Sequence, residues 1–285
     1  MIPELLRKRP TLSFEVFPPK KDGELDAAYD VLNALGALRP DFISVTYGAG
    51  GSRSQKTVEI ASYIQNQLRL TALAHLTCVG STKSDLLRIC RELEAARVSH
   101  ILALRGDRPK DMPDEQYFSR EFTYASDMVS FLKQATNLRI AGACYPEKHY
   151  ECSSMEADLD SLKAKQEAGA EFLITQLFFD NGSFYRFREL AAKKGITLPV
   201  CAGIMPVTAA RQLSSTVSLS GSSVPKSLSD LIAAYGERPE DMRKAGIDFA
   251  IRQILDLKRN HADGIHLYTM NRPKMAAEIV QAIGN

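Results

Sequence analysis

A repeat restricts the folding of this chain more than any other feature. Eight short runs rich in β-branched, aromatic and aliphatic residues begin at positions 11, 41, 70, 98, 138, 171, 198 and 264, which lie 30, 29, 28, 40, 33, 27 and 66 residues apart. They read TLSFEVF, DFISVTY, LTALAHLTC, VSHILAL, LRIAGAC, EFLITQLFF, LPVCAGI and GIHLYTM. Between them apolar residues recur at helical spacing. Val58, Ala61, Ile64 and Leu68 follow the second run, Leu86, Ile89, Leu93 and Ala96 the third, and Ala276, Ile279, Val280 and Ile283 the last. Each step is a strand followed by a helix.

Strands joined through helices pair in parallel by right-handed crossovers, and eight consecutive units close most economically into a (β/α)8 TIM barrel. The chain then forms one domain over residues 1–285. The rival is an open doubly wound sheet, whose first strand-to-helix turn would carry G-x-G-x-x-G. The nearest candidate, Gly48-Ala49-Gly50-Gly51, lacks the third glycine at the right offset. Ser153 and Glu156 are spaced for a capping box before a helix starting near Met155. Gly169, Gly195 and Gly284 stand where helices should stop. Residues 206–263 of the seventh unit are long enough for more than one helix, with a break over Ser218 to Pro225. The extra helices read either as a layer over the outside of the barrel or as a lid or subunit contact, which leaves room for a homo-oligomer.

Hydrophobic residues at 45% and charged residues at 25% exclude disordered and fibrous classes. Lys+Arg 36 against Asp+Glu 34 leaves a formal net charge of +2, no broad field for nucleic acid or an anionic membrane. The five cysteines show no C-x-x-C and read as reduced thiols. The basic start MIPELLRKRP is not followed by an apolar signal core, and no run approaches ~18 apolar residues. A cytoplasmic protein is expected.

Barrel enzymes place their chemistry at the C-terminal ends of the strands, and polar residues collect there in this sequence. Glu15 sits inside FEVFPPK, where burial would raise its pKa toward values suited to a general acid, unless it is simply salt-bridged inside the barrel. The Gly-rich stretch after Thr46 and Tyr47 permits close approach of a ligand to backbone, or is merely a tight turn. His75 and Thr77 lie on the third strand, without the spacing of metal ligands. Arg105-Gly106-Asp107 surrounds a glycine with opposite charges, fitting a phosphate and the N–H groups of a heterocycle or else a loop ion pair. The fifth strand leads into Ala143-Cys144-Tyr145-Pro146-Glu147-Lys148-His149 and a helix bearing Asp158, Lys163 and Lys165; those lysines could form a solvated face. Gln176 follows the sixth strand, and Tyr268 and Arg272 end the eighth. The sixth and seventh strands hold no lysine, which disfavours a Schiff-base lyase. The sum suits a flat heterocyclic ligand with phosphates, such as a flavin bound without a Rossmann motif.

The ordered set FEVFPPK, SVTYGAGG, AHLTC, ALRGD, YASD, CYPEKH, TQLFFD, GIMPV and YTMNR closely resembles the methylenetetrahydrofolate reductase family, from about residue 12 to 283. The resemblance implies an FAD-containing barrel, with FMN the less favoured flavin. Such a barrel reduces 5,10-methylenetetrahydrofolate to 5-methyltetrahydrofolate, usually with NADH or NADPH as donor. It implies Glu15 as the general acid at N10 and Asp107 beside flavin and pterin. Gln176, Gln212, Tyr268 and Arg272 become substrate contacts. The flavin site becomes Thr46, Tyr47, Ala49, His75, Arg105, Gly106, Asp107, Tyr124, Ala143, Tyr145, His149, Cys152, Asp158 and Lys165. Ser161 and Ala164 stand where the family pattern has Asn and Arg, and Thr216 where it has an aromatic residue. Some relatives take electrons from a partner subunit instead, so a flavin-containing, folate-binding subunit of a larger complex is the alternative.

Overall fold

A computed structural model describes residues 1–19, 22–47, 51–109, 112–118 and 120–284. Its eight strands, counted among these residues, are β1 (Thr11–Val16), β2 (Phe42–Val45), β3 (Thr71–Thr77), β4 (His100–Leu104), β5 (Arg139–Cys144), β6 (Phe172–Thr175), β7 (Val200–Ile204) and β8 (Gly264–Tyr268). They pair in parallel and in chain order, and β8 returns to β1 to close the barrel. β2, β6 and β7 are buried at every residue, as a parallel strand covered on both faces must be.

Helices α2 (Leu25–Gly36), α3 (Gly51–Asn66), α4 (Lys83–Ala95), α6 (Ala125–Ala135), α7 (Met155–Glu167), α8 (Asn181–Lys193), α11 (Pro239–Arg259) and α12 (Pro273–Ile283) follow the strands in turn, with the short α5 (Asp114–Phe118) before α6. Outward side chains such as Phe14, Ile43, Ala74 and Ile101 meet these helices in one large core. Inward residues Phe42, Leu73, Leu102, Phe172 and Cys201 pack with Ile2 and Leu6 in a second core. Ile2 and Leu6 belong to α1 (Ile2–Leu6), which plugs the barrel floor: the Ile2 N–H donates to His100 Nε2 at the start of β4. Nothing in the sequence pattern had marked that plug.

The seventh unit holds α9 (Ala210–Ser220), α10 (Lys226–Tyr235) and α11. α9 and α10 pack above the ends of β6 and β7 rather than around the outside. Leu228 of α10 and Met242 of α11 join Leu177, Phe179, Met205 and Val207 in a third core beside the barrel mouth. Two local readings need correction. The cap of α7 is Ser154, whose hydroxyl accepts from the Ala157 N–H, so the helix begins at Met155 but the Ser153–Glu156 box is absent. β6 stops at Thr175, not residue 179, because Phe178 turns away to stack on Phe184 of α8 at 5.3 Å. The glycines at 169, 195 and 284 do take positive φ, at 112°, 75° and 64°. Among the described residues no helix is long and apolar enough to cross a membrane.

Candidate active site

Strand pleating gives side chains a period of two, so Ser13 and Glu15 of β1 point into the barrel together. Parallel register sets Ser13 beside His266 and Glu15 beside both Ser44 and Tyr268. A cavity of about 400 Å³ opens at the C-terminal ends of the strands, with Glu15 in its wall. The Glu15 carboxylate lies between two imidazoles: Oε2 is 3.4 Å from His266 Nε2 and 3.6 Å from His75 Nε2. His266 is fully buried, held by Ser13 Oγ at 2.8 Å from Nδ1 and Ser44 Oγ at 3.3 Å from Nε2.

Burial alone would push the Glu15 carboxyl up, as the sequence suggested. The hydrogen bond from His266, the two imidazoles' charge and Ser44 outweigh it, and the group is held below the ordinary carboxylate value. Burial drives His75 down to about 4, so that its ring is neutral at pH 7. Its Nε2 is buried and makes no hydrogen bond among the described residues.

The opposite wall comes from β4 and β5. Gly106 turns with φ 83°, and a Cβ there would lie 2.7 Å from Val79 Cγ1 and 3.0 Å from Thr77 Cβ. Arg105 pairs with Glu151, so the alternative reading of Arg105-Gly106-Asp107 as a loop ion pair does not hold, and Asp107 lies exposed on the rim of the cavity. Tyr145 and His149 meet edge to face at 4.7 Å, and His149 stacks on Tyr150. The His149 Nδ1 accepts from the Glu151 N–H; its neutral ring therefore carries the proton on Nε2. Burial, then Arg105, lowers its pKa. Behind them Lys165 donates to the Ala143 carbonyl at 2.8 Å, and burial lowers its pKa although Asp158 pulls the other way. This lysine faces the barrel, not solvent. Asp158 accepts from the His149 N–H, and its own carboxyl is raised by burial.

Of the residues singled out in the sequence, Glu15, Thr46, Tyr47, His75, Arg105, Gly106, Asp107, Ala143, Tyr145, His149, Gln176 and Tyr268 share this one cavity. Asp158 and Lys165 stand one layer behind it. Tyr124, 60% exposed, and Cys152 lie off its wall. So do Gln212 and Arg272, which meet each other's partner instead: Gln212 accepts from the Thr208 N–H, and Arg272 donates to the Thr208 hydroxyl at 2.7 Å. Ala49 lies outside the described residues. Sequence reasoning missed His266, Ser13 and Ser44. A usable signal existed, since Ser13 and Glu15, Ser44 and Thr46, and His266 and Tyr268 each stand two apart on neighbouring strands.

A closed parallel barrel with a buried acid–imidazole cluster at its C-terminal mouth defines an enzyme of the (β/α)8 class. Residues 2–284 match the methylenetetrahydrofolate reductase family. The 5,10-methylenetetrahydrofolate reductase of Pectobacterium carotovorum is 34% identical over 281 residues, covering 98% of this chain and 92% of that protein. That of Escherichia coli is 34% identical over 273 residues, covering 96% and 90%. An uncharacterized protein from Clostridium thermocellum, solved with two copies of 5-methyl-5,6,7,8-tetrahydrofolic acid, shares the fold with a TM-score of 0.66 at 13% identity, covering 99% and 98%. The chain belongs to the methylenetetrahydrofolate reductase family and is an oxidoreductase acting on methylenetetrahydrofolate.

Proposed function

We propose that this barrel reduces 5,10-methylenetetrahydrofolate to 5-methyltetrahydrofolate with a bound flavin, FAD in preference to FMN, and that Glu15 supplies the proton. The observation that carries the reading is the Glu15 carboxylate set between His75 and His266 in the mouth of a family member. When bound, a reduced flavin supplies the hydride. The wall suits such a ring system: His75 Nε2 is buried and lacks a hydrogen bond, and Tyr145 and His149 line the same cavity with aromatic rings. Thr46, Tyr47, His75, Arg105, Gly106, Asp107, Ala143, Tyr145 and His149 would hold it. FAD is preferred on the family resemblance, which also assigns Tyr124, Cys152, Asp158 and Lys165 to its site; Asp158 and Lys165 would support the wall from behind through His149 and Ala143.

Glu15 protonates N10 of the substrate and opens its five-membered ring, leaving the one-carbon unit on N5 ready for hydride. Asp107 and Gln176 orient the pterin, with Tyr268 beneath it; Gln212 and Arg272 receive the remainder of the folate. Substrate covering the mouth removes water from a side chain that is now 18% exposed, which moves Glu15 toward its protonated form. A reduced nicotinamide is the donor. A second reading, supply of electrons by a partner subunit, is favoured by α9, which carries Thr216 and no aromatic residue in ARQLSSTVSLS.

Anaerobic mixing tests the reading. Purified protein should be yellow, NADH or NADPH should bleach it, and methylenetetrahydrofolate should restore the colour. Glu15→Gln should slow the folate step by about 100-fold or more while sparing bleaching. Protein that cannot be loaded with FAD or FMN would refute the proposal; loaded protein bleached by neither nicotinamide would favour the partner-subunit reading.

A further inference from the structure

We propose that Glu147 is a positioning residue for the substrate: it clasps the connection between α9 and α10, and so registers the helix carrying Gln212 against the loop carrying Tyr145 and His149. This rests on the reading above that Gln212 faces the folate. The loop after β5 is a firm support. Asp158 of α7 accepts from the His149 N–H, and Arg105 at the end of β4 pairs with Glu151. The Tyr150 ring stacks on His149 at 4.7 Å, and its hydroxyl donates to Glu151 Oε1 at 3.0 Å. His149, on the cavity wall, is thus braced from both β4 and α7.

α9 rests on the barrel through Leu213 and Val217, which pack on the cluster of Leu177, Met205 and Val207. Apolar contact sets the depth of the helix but has no direction, so by itself it permits a short helix to slide or pivot. The bonds at the end of α9 do have direction. Gly221 stops the helix with φ 70°, its N–H donating to the Val217 carbonyl at 2.8 Å, and a Cβ there would lie 3.2 Å from Tyr150 Cβ. The chain therefore leaves α9 pressed against the braced loop.

Two hydrogen bonds follow at once. The buried Ser222 hydroxyl donates to the Leu177 carbonyl at 2.7 Å, and the N–H of the exposed Ser223 donates to Glu147 Oε2 at 3.0 Å. The atoms force both directions, because carbonyl and carboxylate oxygens here can only accept. Ser222 ties the connection to the strand end beside Gln176. Glu147 ties it to the wall that carries Tyr145 and His149, through a charge-assisted bond that is the stronger kind. Without that bond the end of α9 is free to turn about Ser222, and Gln212 at its other end loses register with the wall.

The test titrates 5-methyltetrahydrofolate into flavin-loaded protein and FAD into flavin-free protein, and follows hydrogen exchange over residues 216–226. Glu147→Ala should weaken folate binding by about tenfold while FAD affinity stays within about twofold of the parent's. KM for methylenetetrahydrofolate should rise more than kcat falls, and exchange should quicken at 216–226 but not in the strands. Glu147→Gln keeps an oxygen facing Ser223 and should recover most of the folate affinity; its amide nitrogen replaces Oε1, which has no partner among the described residues. Ser223→Pro removes the donor from an exposed position, and stands in should Glu147→Ala fail to fold. The two changes combined should do no more than either alone, since they break the same bond. Parent-like folate affinity in both variants, or equal losses of folate and FAD affinity, would overturn the proposal. Unchanged folate affinity in Gln212→Ala would instead overturn the placing of Gln212, while exchange at 216–226 would still report on the clasp.

Discussion

The Tyr268 hydroxyl donates to the Thr175 carbonyl at 2.9 Å, spanning from β8 to β6 over Gly203 of β7. Gly203 makes room for the ring: a Cβ there would lie 2.5 Å from the Thr175 carbonyl oxygen and 2.9 Å from the tyrosine ring. The tyrosine thereby becomes a fixed strap in the wall of the cavity, where folate is proposed to bind. Tyr268→Phe should cost about 1 kcal/mol of stability and raise the KM for methylenetetrahydrofolate more than it lowers kcat. Gly203→Ala must displace the ring or the strand, and should cost roughly 1–3 kcal/mol. Thermal melts and steady-state kinetics on both variants check this, and a Gly203→Ala protein with the parent's KM would contradict it.

Acid should destabilise the protein well before its carboxylates are protonated. Burial holds both His75 and His100 at about 4 instead of the ordinary 6.5. The unfolded chain therefore binds protons that the folded one refuses between those values. Stability is complete above 6.5 and falls as pH drops toward 4, by up to ~3 kcal/mol for each ring. For His100 the structural reason is plain, since protonating Nε2 would abolish the hydrogen bond it accepts from the Ile2 N–H. Urea unfolding from pH 7.5 to about 4.5 should show the slope, and His100→Gln should remove about half of it.

The barrel was readable because its determinants are local: apolar runs recur at a ~30-residue period, and glycines at 169, 195 and 284 mark helix ends. The twelve predicted residues on the cavity wall were readable for the same reason, since each stands near the end of a strand. What escaped depends on register across the closure. Ser13 and His266 are 253 residues apart and meet only because β8 returns to β1. The direction of the Glu15 shift escaped with them, because burial was visible in FEVF and the imidazole that offsets it was not. Lys165 looked like one of several surface lysines, and only the packing of α7 on β5 shows it turned inward.

That inward lysine should matter to cofactor retention. Lys165 caps the Ala143 carbonyl at 2.8 Å and holds a positive charge beside Asp158. Lys165→Met keeps most of the apolar stem but removes the hydrogen bond to the Ala143 carbonyl and the cation that acts on Asp158, at a cost of roughly 1–3 kcal/mol. Flavin absorbance per mole of purified protein should fall, along with the melting temperature, and added FAD should restore the first only in part. A variant with full occupancy and an unchanged melt would remove Lys165 from the site.

Gly106 is the position at which a single methyl group should separate binding from folding. Its φ of 83° is strained for any other residue, and the added Cβ would sit 2.7 Å from Val79 Cγ1 and 3.0 Å from Thr77 Cβ. The left-handed backbone alone costs alanine roughly 1–2 kcal/mol, and Val79 must move to clear the rest. Relief by tipping the loop would carry Arg105 and Asp107 with it, because both flank the glycine. Gly106→Ala should therefore melt earlier and, more sharply, hold less flavin and bind folate more weakly than its lost stability explains. Fluorescence titration with FAD at a temperature where circular dichroism shows the variant fully folded separates the two effects. Parent-like affinity there would mean that the turn serves folding alone.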